Sequence, residues 1–157
     1  MSDTIVLGIG NPLGGDDTAG PCLVRMLKHR RQRTNEPPSE ITAIDATTAP
    51  ESYTSVIRQQ RPDLLILVDA ADMGLPPGAR RAIPPEKISV VSFSTHHMPL
   101  SMFISYVEEF CGKVLLIGVQ PERTDMRAQI SKAVRESMTE LVEAILEGWV
   151  AQIPLLE

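Results

Sequence analysis

Four short apolar runs along the chain have the composition of buried strands. They are TIVLGI at 4–9, ITAID at 41–45, LLILV at 64–68 and KVLLIGV at 113–119. The run at 64–68 is the most hydrophobic and is expected to form a central strand. Residues 79–83, which include two arginines, are expected to form a short edge strand.

Segments with apolar residues at helical spacing lie between and after these runs. We expect a helix from residue 19 to about 29, one that opens at residue 50, one over 100–107 and one over 131–149. Parallel neighbouring strands need a crossover element between them, and these helices supply it. The pattern therefore predicts an α/β fold, a three-layer sandwich with a mostly parallel (mixed) sheet of about five strands flanked by helices.

The composition excludes several classes of protein. Its 157 residues suit a single domain over 1–157, and its 43% hydrophobic and 22% charged residues are typical of a globular chain. A net charge of −5 and an aromatic content of 4% argue against nucleic acid as a partner. No apolar run approaches the roughly 18 residues of a membrane helix and no secretion signal is visible, so we expect a cytoplasmic protein without a membrane partner.

The turn at 8–10 partly matches a dinucleotide-binding fingerprint, in which the start of a helix holds a pyrophosphate. The third glycine, Gly14, is out of register, and Asp45 lies further along than the acidic residue of that fingerprint. Asp16 and Asp17 would also set two carboxylates against the pyrophosphate. This repulsion argues against a dinucleotide cofactor.

A different set of residues fits a metal site. Asp17 follows the first strand, Asp69 ends the most buried run and His96 lies in a later loop, so a parallel sheet would bring all three to one edge. Two carboxylates and an imidazole suit a borderline divalent ion such as zinc or nickel and leave a position open for water or substrate. Structural explanations stay open as well: an aspartate can cap a helix or a turn, and His96 and His97 can be ordinary loop residues.

Five segments carry a resemblance to a known family. They are GIGNPLGGDDTAGP (8–21), AIDATTAPE (43–51), RPDLLILVDAADMGLPPG (61–78), THHMPL (95–100) and LLIGVQPE (115–122). On these segments the chain resembles the [NiFe]-hydrogenase maturation endopeptidases, and most of all their hydrogenase 3 type. The segments occur in the family's order and cover most of the chain.

The resemblance implies a peptidase that removes the C-terminal extension of a [NiFe]-hydrogenase large-subunit precursor after nickel insertion. It implies that Asp17, Asp69 and His96 contact the metal, with nickel supplied by the precursor as the recognition element and no organic cofactor. Asp17 and Asp69 are the candidate catalytic pair. Whether a carboxylate or the metal activates the attacking water stays open at this point.

One motif departs from the family pattern. The usual Asp-Gly-Gly turn is replaced by Asp45-Ala46-Thr47-Thr48, whose side chains restrict the backbone, so the role of Asp45 is open. A second function class also remains, a non-catalytic nickel-sensing maturation chaperone that binds the loaded precursor without cleaving it. In either case we expect the free protein to be a monomer.

Overall fold

The computed structural model describes residues 3–33, 41–93, 98–122, 124 and 128–157. Within these residues, one sheet is formed in the order β2-β1-β3-β6-β4. Strands β2, β1, β3 and β6 are parallel, β4 runs antiparallel to β6, and β5 pairs antiparallel with the end of β3. The strands are β1 (Thr4–Ile9), β2 (Ile41–Thr47), β3 (Leu64–Asp72), β4 (Arg80–Ala82), β5 (Ser92–Phe93) and β6 (Lys113–Val119).

Helices cover both faces of this sheet, as the alternating pattern predicted. Apolar residues of α1 and α4 form one core with one face, and those of α2 and α3 form a second core with the other. The α/β fold and the three-layer arrangement are therefore confirmed. The helices are α1 (Ala19–Arg33), α2 (Thr54–Gln60), α3 (Leu100–Val107) and α4 (Lys132–Glu147), with 3-10 helices at Gly15–Thr18, Pro50–Tyr53, Pro85–Val90, Glu108–Phe110 and Val150–Gln152.

Successive side chains of a strand point to opposite faces of the sheet, so each apolar run contributes to both cores. In β1, Ile5 and Leu7 face α2 and α3, whereas Val6 faces α1 and α4. All three side chains are fully buried, which stabilises the fold by about 1.5–3 kcal/mol for each large aliphatic residue. A strand buried on both faces needs such a continuous apolar run, which is why these segments were readable from the sequence.

Three elements extend further than predicted. Strand β2 continues past 41–45 to Thr47, and the other two are β3 and α1. Strand β3 continues past 64–68 to Asp72, because β6 pairs with it as far as Ala70 and β5 pairs with Ala71 and Asp72. Asp69 therefore lies inside the strand and not at its end. Helix α1 continues from the expected end near residue 29 to Arg33. No helix in the described ranges combines the length and the apolar character needed to cross a bilayer.

Candidate active site

The parallel strands bring two of the acidic residues to the same edge of the sheet. Gly8 of β1 lies opposite Asp45 of β2 on one side and opposite Val68 of β3 on the other. Asp69 follows directly and lies opposite Gly118 of β6. Asp45 and Asp69 thus flank the carboxyl end of β1, the edge at which ligands bind in open α/β sheets.

Asp17 reaches this edge because two glycines allow a close approach of backbones. It lies in the 3-10 helix that follows β1, and that helix contacts β3. A Cβ atom at Gly10 would lie 1.9 Å from the carbonyl oxygen of Asp17. One at Gly20 would lie 2.7 Å from the carbonyl oxygen of Val68. Only glycine fits at these positions, and the turn is therefore held tightly against the strand ends, with Asp17 partly exposed.

The sequence predicts a cap or turn role for the neighbouring carboxylate, Asp16, and the structure gives it a more specific role. It is fully buried, and its oxygens accept hydrogen bonds from the backbone N–H of Glu122 at 2.7 Å and from that of Ser131 at 2.7 Å. The Ser131 hydroxyl donates a third bond at 2.9 Å, and Ser131 is also the N-cap of α4. Asp16 therefore joins the turn after β1 to both ends of the connection between β6 and α4.

Asp69 has no exposed surface and lies in the middle of the sheet. A carboxylate can be held in such a position only when hydrogen bonds, charges or a metal compensate for its desolvation. By strand alternation Asp69 shares the face of Leu65, Leu67 and Ala71, which belong to the α2/α3 core. Its carboxylate therefore belongs to the side of the sheet covered by the two short helices.

Asp45 stabilises the turn that departs from the family pattern. Its Oδ1 accepts a hydrogen bond from the backbone N–H of Thr47 at 3.0 Å, and its carbonyl oxygen accepts one from the Tyr53 hydroxyl at 3.3 Å. Thr47, at the position of the second glycine of the family's Asp-Gly-Gly turn, has a φ of 49°. A β-branched residue in this left-handed region costs about 1–3 kcal/mol. The turn thus keeps a glycine-like backbone without the glycine.

Comparisons with known proteins identify the family. The family model described as hydrogenase maturation protease matches residues 22–148. The chain is also 36% identical over 150 residues to the hydrogenase 3 maturation protease of Escherichia coli (strain K12), covering 95% of this chain and 91% of that protein. The protein belongs to the hydrogenase maturation protease family. The resemblance seen in the sequence is confirmed, and the chain is a peptidase.

Solved structures of other hydrogenase maturation proteases share the fold. A crystal structure of a hydrogenase 3 maturation protease superimposes with a TM-score of 0.86 at 32% identity, covering 99% of this chain and 97% of that one. A [NiFe] hydrogenase maturation protease from Thermococcus kodakarensis KOD1 superimposes with a TM-score of 0.80 at 31% identity, covering 94% and 92%. The fold of this chain is therefore the fold of this peptidase family.

The third residue of the metal set predicted for this hydrogenase maturation protease, His96, lies outside the described residues, as does His97. Within the ranges that are described, no group of three or more His, Cys, Asp or Glu side chains is arranged to hold a metal ion. Asp17 and Asp69 are the two carboxylates of the predicted set, and the complete set of Asp17, Asp69 and His96 stays a prediction.

A thiol nucleophile is poorly supported in this peptidase. Cys22 is buried in α1, and Cys111 lies half-buried in the turn before β6. Burial raises the pKa of the Cys111 thiol, which favours the protonated, unreactive form at neutral pH. The carboxylates at the sheet edge therefore remain the candidate catalytic groups.

Sequence reasoning missed one residue that shapes the site of this protease. Gln120, buried just after β6, accepts hydrogen bonds at its Oε1 from the backbone N–H of Met73 at 2.6 Å and of Leu75 at 3.2 Å. Its Nε2 donates to Oδ1 of Asp72 at 3.2 Å. Gln120 therefore fixes the loop that leaves the strand carrying Asp69. The available signal was a polar residue directly after a buried strand, in the segment LLIGVQPE.

Proposed function

We propose that this peptidase removes the C-terminal extension of a [NiFe]-hydrogenase large-subunit precursor after nickel insertion. The observation that carries the proposal is the pair of aspartates at the carboxyl edge: Asp69 fully buried in β3, and Asp17 partly exposed in the turn that contacts β3. The relatives named hydrogenase 3 maturation protease support the same substrate class.

Hydrolysis of a peptide bond requires an activated water and a proton donor for the leaving amine. A carboxylate within hydrogen-bond reach of water can serve as the general base, and a protonated carboxyl group can then serve as the acid. In this proposal Asp17 meets solvent and substrate first, and Asp69 forms the buried side of the site. Two such carboxylates are sufficient for an aspartic-type reaction.

Nickel in this proposal is part of the substrate. Asp17, Asp69 and His96 would bind the ion carried by the precursor, since carboxylate oxygens and imidazole nitrogens are suitable ligands for nickel. Such binding would signal that nickel loading is complete and would bring the scissile bond to the carboxylates. The protein itself would then need no organic cofactor.

The test is cleavage of a purified precursor by wild type, Asp17→Asn and Asp69→Asn, with Asp3→Asn as a matched control. Asp3 is an exposed acid at the opposite edge of the sheet. We expect wild type and Asp3→Asn to shorten the nickel-loaded precursor, and each site variant to lose at least about 100-fold in kcat/KM. Full cleavage by both site variants would falsify the catalytic assignment.

The role of nickel is tested separately with precursor prepared with and without the metal. We expect wild type to cleave only the loaded form. A His96→Ala variant should lose most of its activity toward that form, because one predicted ligand is missing. Equal processing of both precursor forms by wild type would remove nickel recognition but would leave the peptidase assignment intact.

We also propose that the protease works in the cytoplasm as a monomer when it is not bound to precursor, without nucleic acid or membrane partners. The net charge of −5 supports the absence of polyanion binding. Light scattering of the purified protein should give the mass of one 17.2 kDa chain. A mass twice as large would contradict the monomer.

A further inference from the structure

A cavity of about 520 Å³ lies between α2 and α3, on the same face of the sheet as Asp69. The two helices contact each other beneath it, with the buried ring of Phe103 among its lining residues. We call this cavity the α2/α3 groove. Its walls include Glu51, Ser55, Arg58, Met98, Met102 and Tyr106.

One wall of the α2/α3 groove is apolar and exposed. Met102 is 58% exposed and Tyr106 is 50% exposed, although both are large hydrophobic side chains. Exposed apolar side chains that line a cavity are typical of a binding surface. A methionine adapts its shape to different partners, and a tyrosine offers a flat apolar ring with a polar end.

The opposite wall carries one charge of each sign. The carboxylate of Glu51 has a buried Oε2 atom without a hydrogen-bond partner among the described residues. The exposed guanidinium of Arg58 makes no ion pair or hydrogen bond with any residue in the described ranges. The two residues lie about two helical turns apart, a separation of roughly 10 Å. A buried, unpartnered carboxylate oxygen and an exposed guanidinium therefore line the same groove.

One end of the α2/α3 groove is formed by an element that contacts the carboxyl edge. Glu51 belongs to the 3-10 helix that follows β2, and Tyr53 of the same helix donates its hydrogen bond to the carbonyl oxygen of Asp45 at the carboxyl edge. Met98 precedes α3, only two residues after His96 in the sequence. A chain whose scissile bond lies at Asp17 and Asp69 could therefore continue into this groove.

We propose that the α2/α3 groove binds an extended segment of the precursor next to the scissile bond. This segment presents a cationic side chain to Glu51, an acidic side chain to Arg58 and apolar side chains between them to Met102 and Tyr106. An extended peptide advances about 3.3 Å per residue, so the two charged residues are three to four positions apart. The inference rests on the proposed function, because it assigns the groove to the same substrate.

The first experiment measures peptide binding to the intact protein by NMR. The probes are blocked pentapeptides: one with arginine first and glutamate last, one with glutamate first and arginine last, and one with glutamine at both ends, each with Leu-Ala-Leu in between. We expect one charged peptide to bind about tenfold more tightly than the glutamine peptide and to shift the amide signals of α2 and α3. Equal binding of all three, or shifts confined to other elements, would overturn the proposal.

Charge recognition is tested with Glu51→Gln and Arg58→Gln. Each variant should lose most of the preference for the charged peptide, because one complementary charge is missing. The control is Glu109→Gln, which removes an exposed carboxylate outside the groove and should retain the preference. A preference that persists in both groove variants would contradict the assignment of the two charges.

The second experiment measures processing of the nickel-loaded precursor by Met102→Glu, with Leu155→Glu as the matched control. Leu155 is 63% exposed and lies outside the groove, so both variants add one acid at an exposed apolar position. We expect Met102→Glu to raise KM by about tenfold or more with an unchanged Tm, and Leu155→Glu to behave as wild type.

The outcomes separate this inference from the proposed function. If wild type cleaves the precursor and Met102→Glu cleaves it with the same KM, the groove is not a substrate site but the protease assignment stands. If wild type leaves the precursor intact, the proposed function fails and the inference fails with it. A wild type that is dimeric while Met102→Glu is monomeric would assign the groove to a second copy of the chain and overturn the inference.

Discussion

The two faces of the sheet are covered in different ways. On one face, α1 and α4 are 15 and 16 residues long and pack directly on each other and on the central strands. On the other face, α2 and α3 have only 7 and 8 residues and leave a cavity of about 520 Å³ between them. The two faces therefore differ in the length and mutual packing of their helices, and the groove proposed above to bind substrate lies on the face with the shorter helices.

The helix ends differ between α4 and the two short helices. Helix α4 begins with a side-chain cap from Ser131 and ends at Gly148, which adopts the left-handed conformation with a φ of 84°. Neither α2 nor α3 has a side-chain cap at its start. Short uncapped helices derive little stability from their own residues, and they depend on Ile57 and Phe103 in the core beneath them.

The largest expected effect is a difference between two methionines on the two faces. Met138 of α4 is fully buried in the α1/α4 core, so Met138→Ala should lower the free energy of unfolding by about 2–5 kcal/mol. Met102 of α3 is mostly exposed, so Met102→Ala should change it by less than about 0.5 kcal/mol. Urea denaturation followed by circular dichroism measures both. Equal losses would mean that the α2/α3 face is as important for stability as the other face.

A smaller effect is expected from the adjacent aspartates, of which Asp16 is buried and Asp17 is a proposed catalytic residue. Asp16→Asn replaces one carboxylate oxygen with an amide donor, so at least one of the three donors from Glu122 and Ser131 loses its acceptor and the free energy of unfolding should fall by about 2–3 kcal/mol. Asp17→Asn should cost much less stability, because that side chain is partly exposed, but it should abolish precursor cleavage. Thermal denaturation and the cleavage assay together separate the two roles. A stable Asp16→Asn variant would show that its three hydrogen bonds contribute little.

Much of the fold could be predicted from the sequence because the strands are continuous apolar runs and α4 has a strong amphipathic pattern. Strand β3 was predicted four residues too short, since Asp69 interrupts the apolar pattern and its environment is set by β6 and β5. Hydrogen bonds between distant segments decide whether a polar residue continues a strand, and one segment's composition does not contain that information.

The candidate site was predictable only in part for the same reason. The placement of Asp17 and Asp69 at one edge follows from parallel strands and the turn after β1, both of which are local features. The division between Asp16 and Asp17 depends on Ser131, which lies 115 positions from Asp16 and contacts it only in the folded chain. The role of Gln120 likewise depends on a loop 45–48 positions earlier.

The smallest expected effect concerns the ion pair between Arg30 of α1 and Glu143 of α4, on the α1/α4 face of the sheet. The hydrogen bond from Arg30 lowers the pKa of Glu143. Any stabilisation by the pair is therefore present at neutral pH. It is lost as the pH falls below the ordinary glutamate pKa of about 4.3 and then through the lowered pKa. Because both side chains are partly exposed to solvent, we expect only a small decrease in Tm for Glu143→Gln at about pH 7. Salt should reduce this decrease, and acid should abolish it. Thermal scans of wild type and variant between pH 3 and about pH 7 measure it. A large decrease in Tm at high salt would mean that the ion pair stabilises the packing of α1 and α4 as much as the apolar contacts of Met138 and its neighbours do.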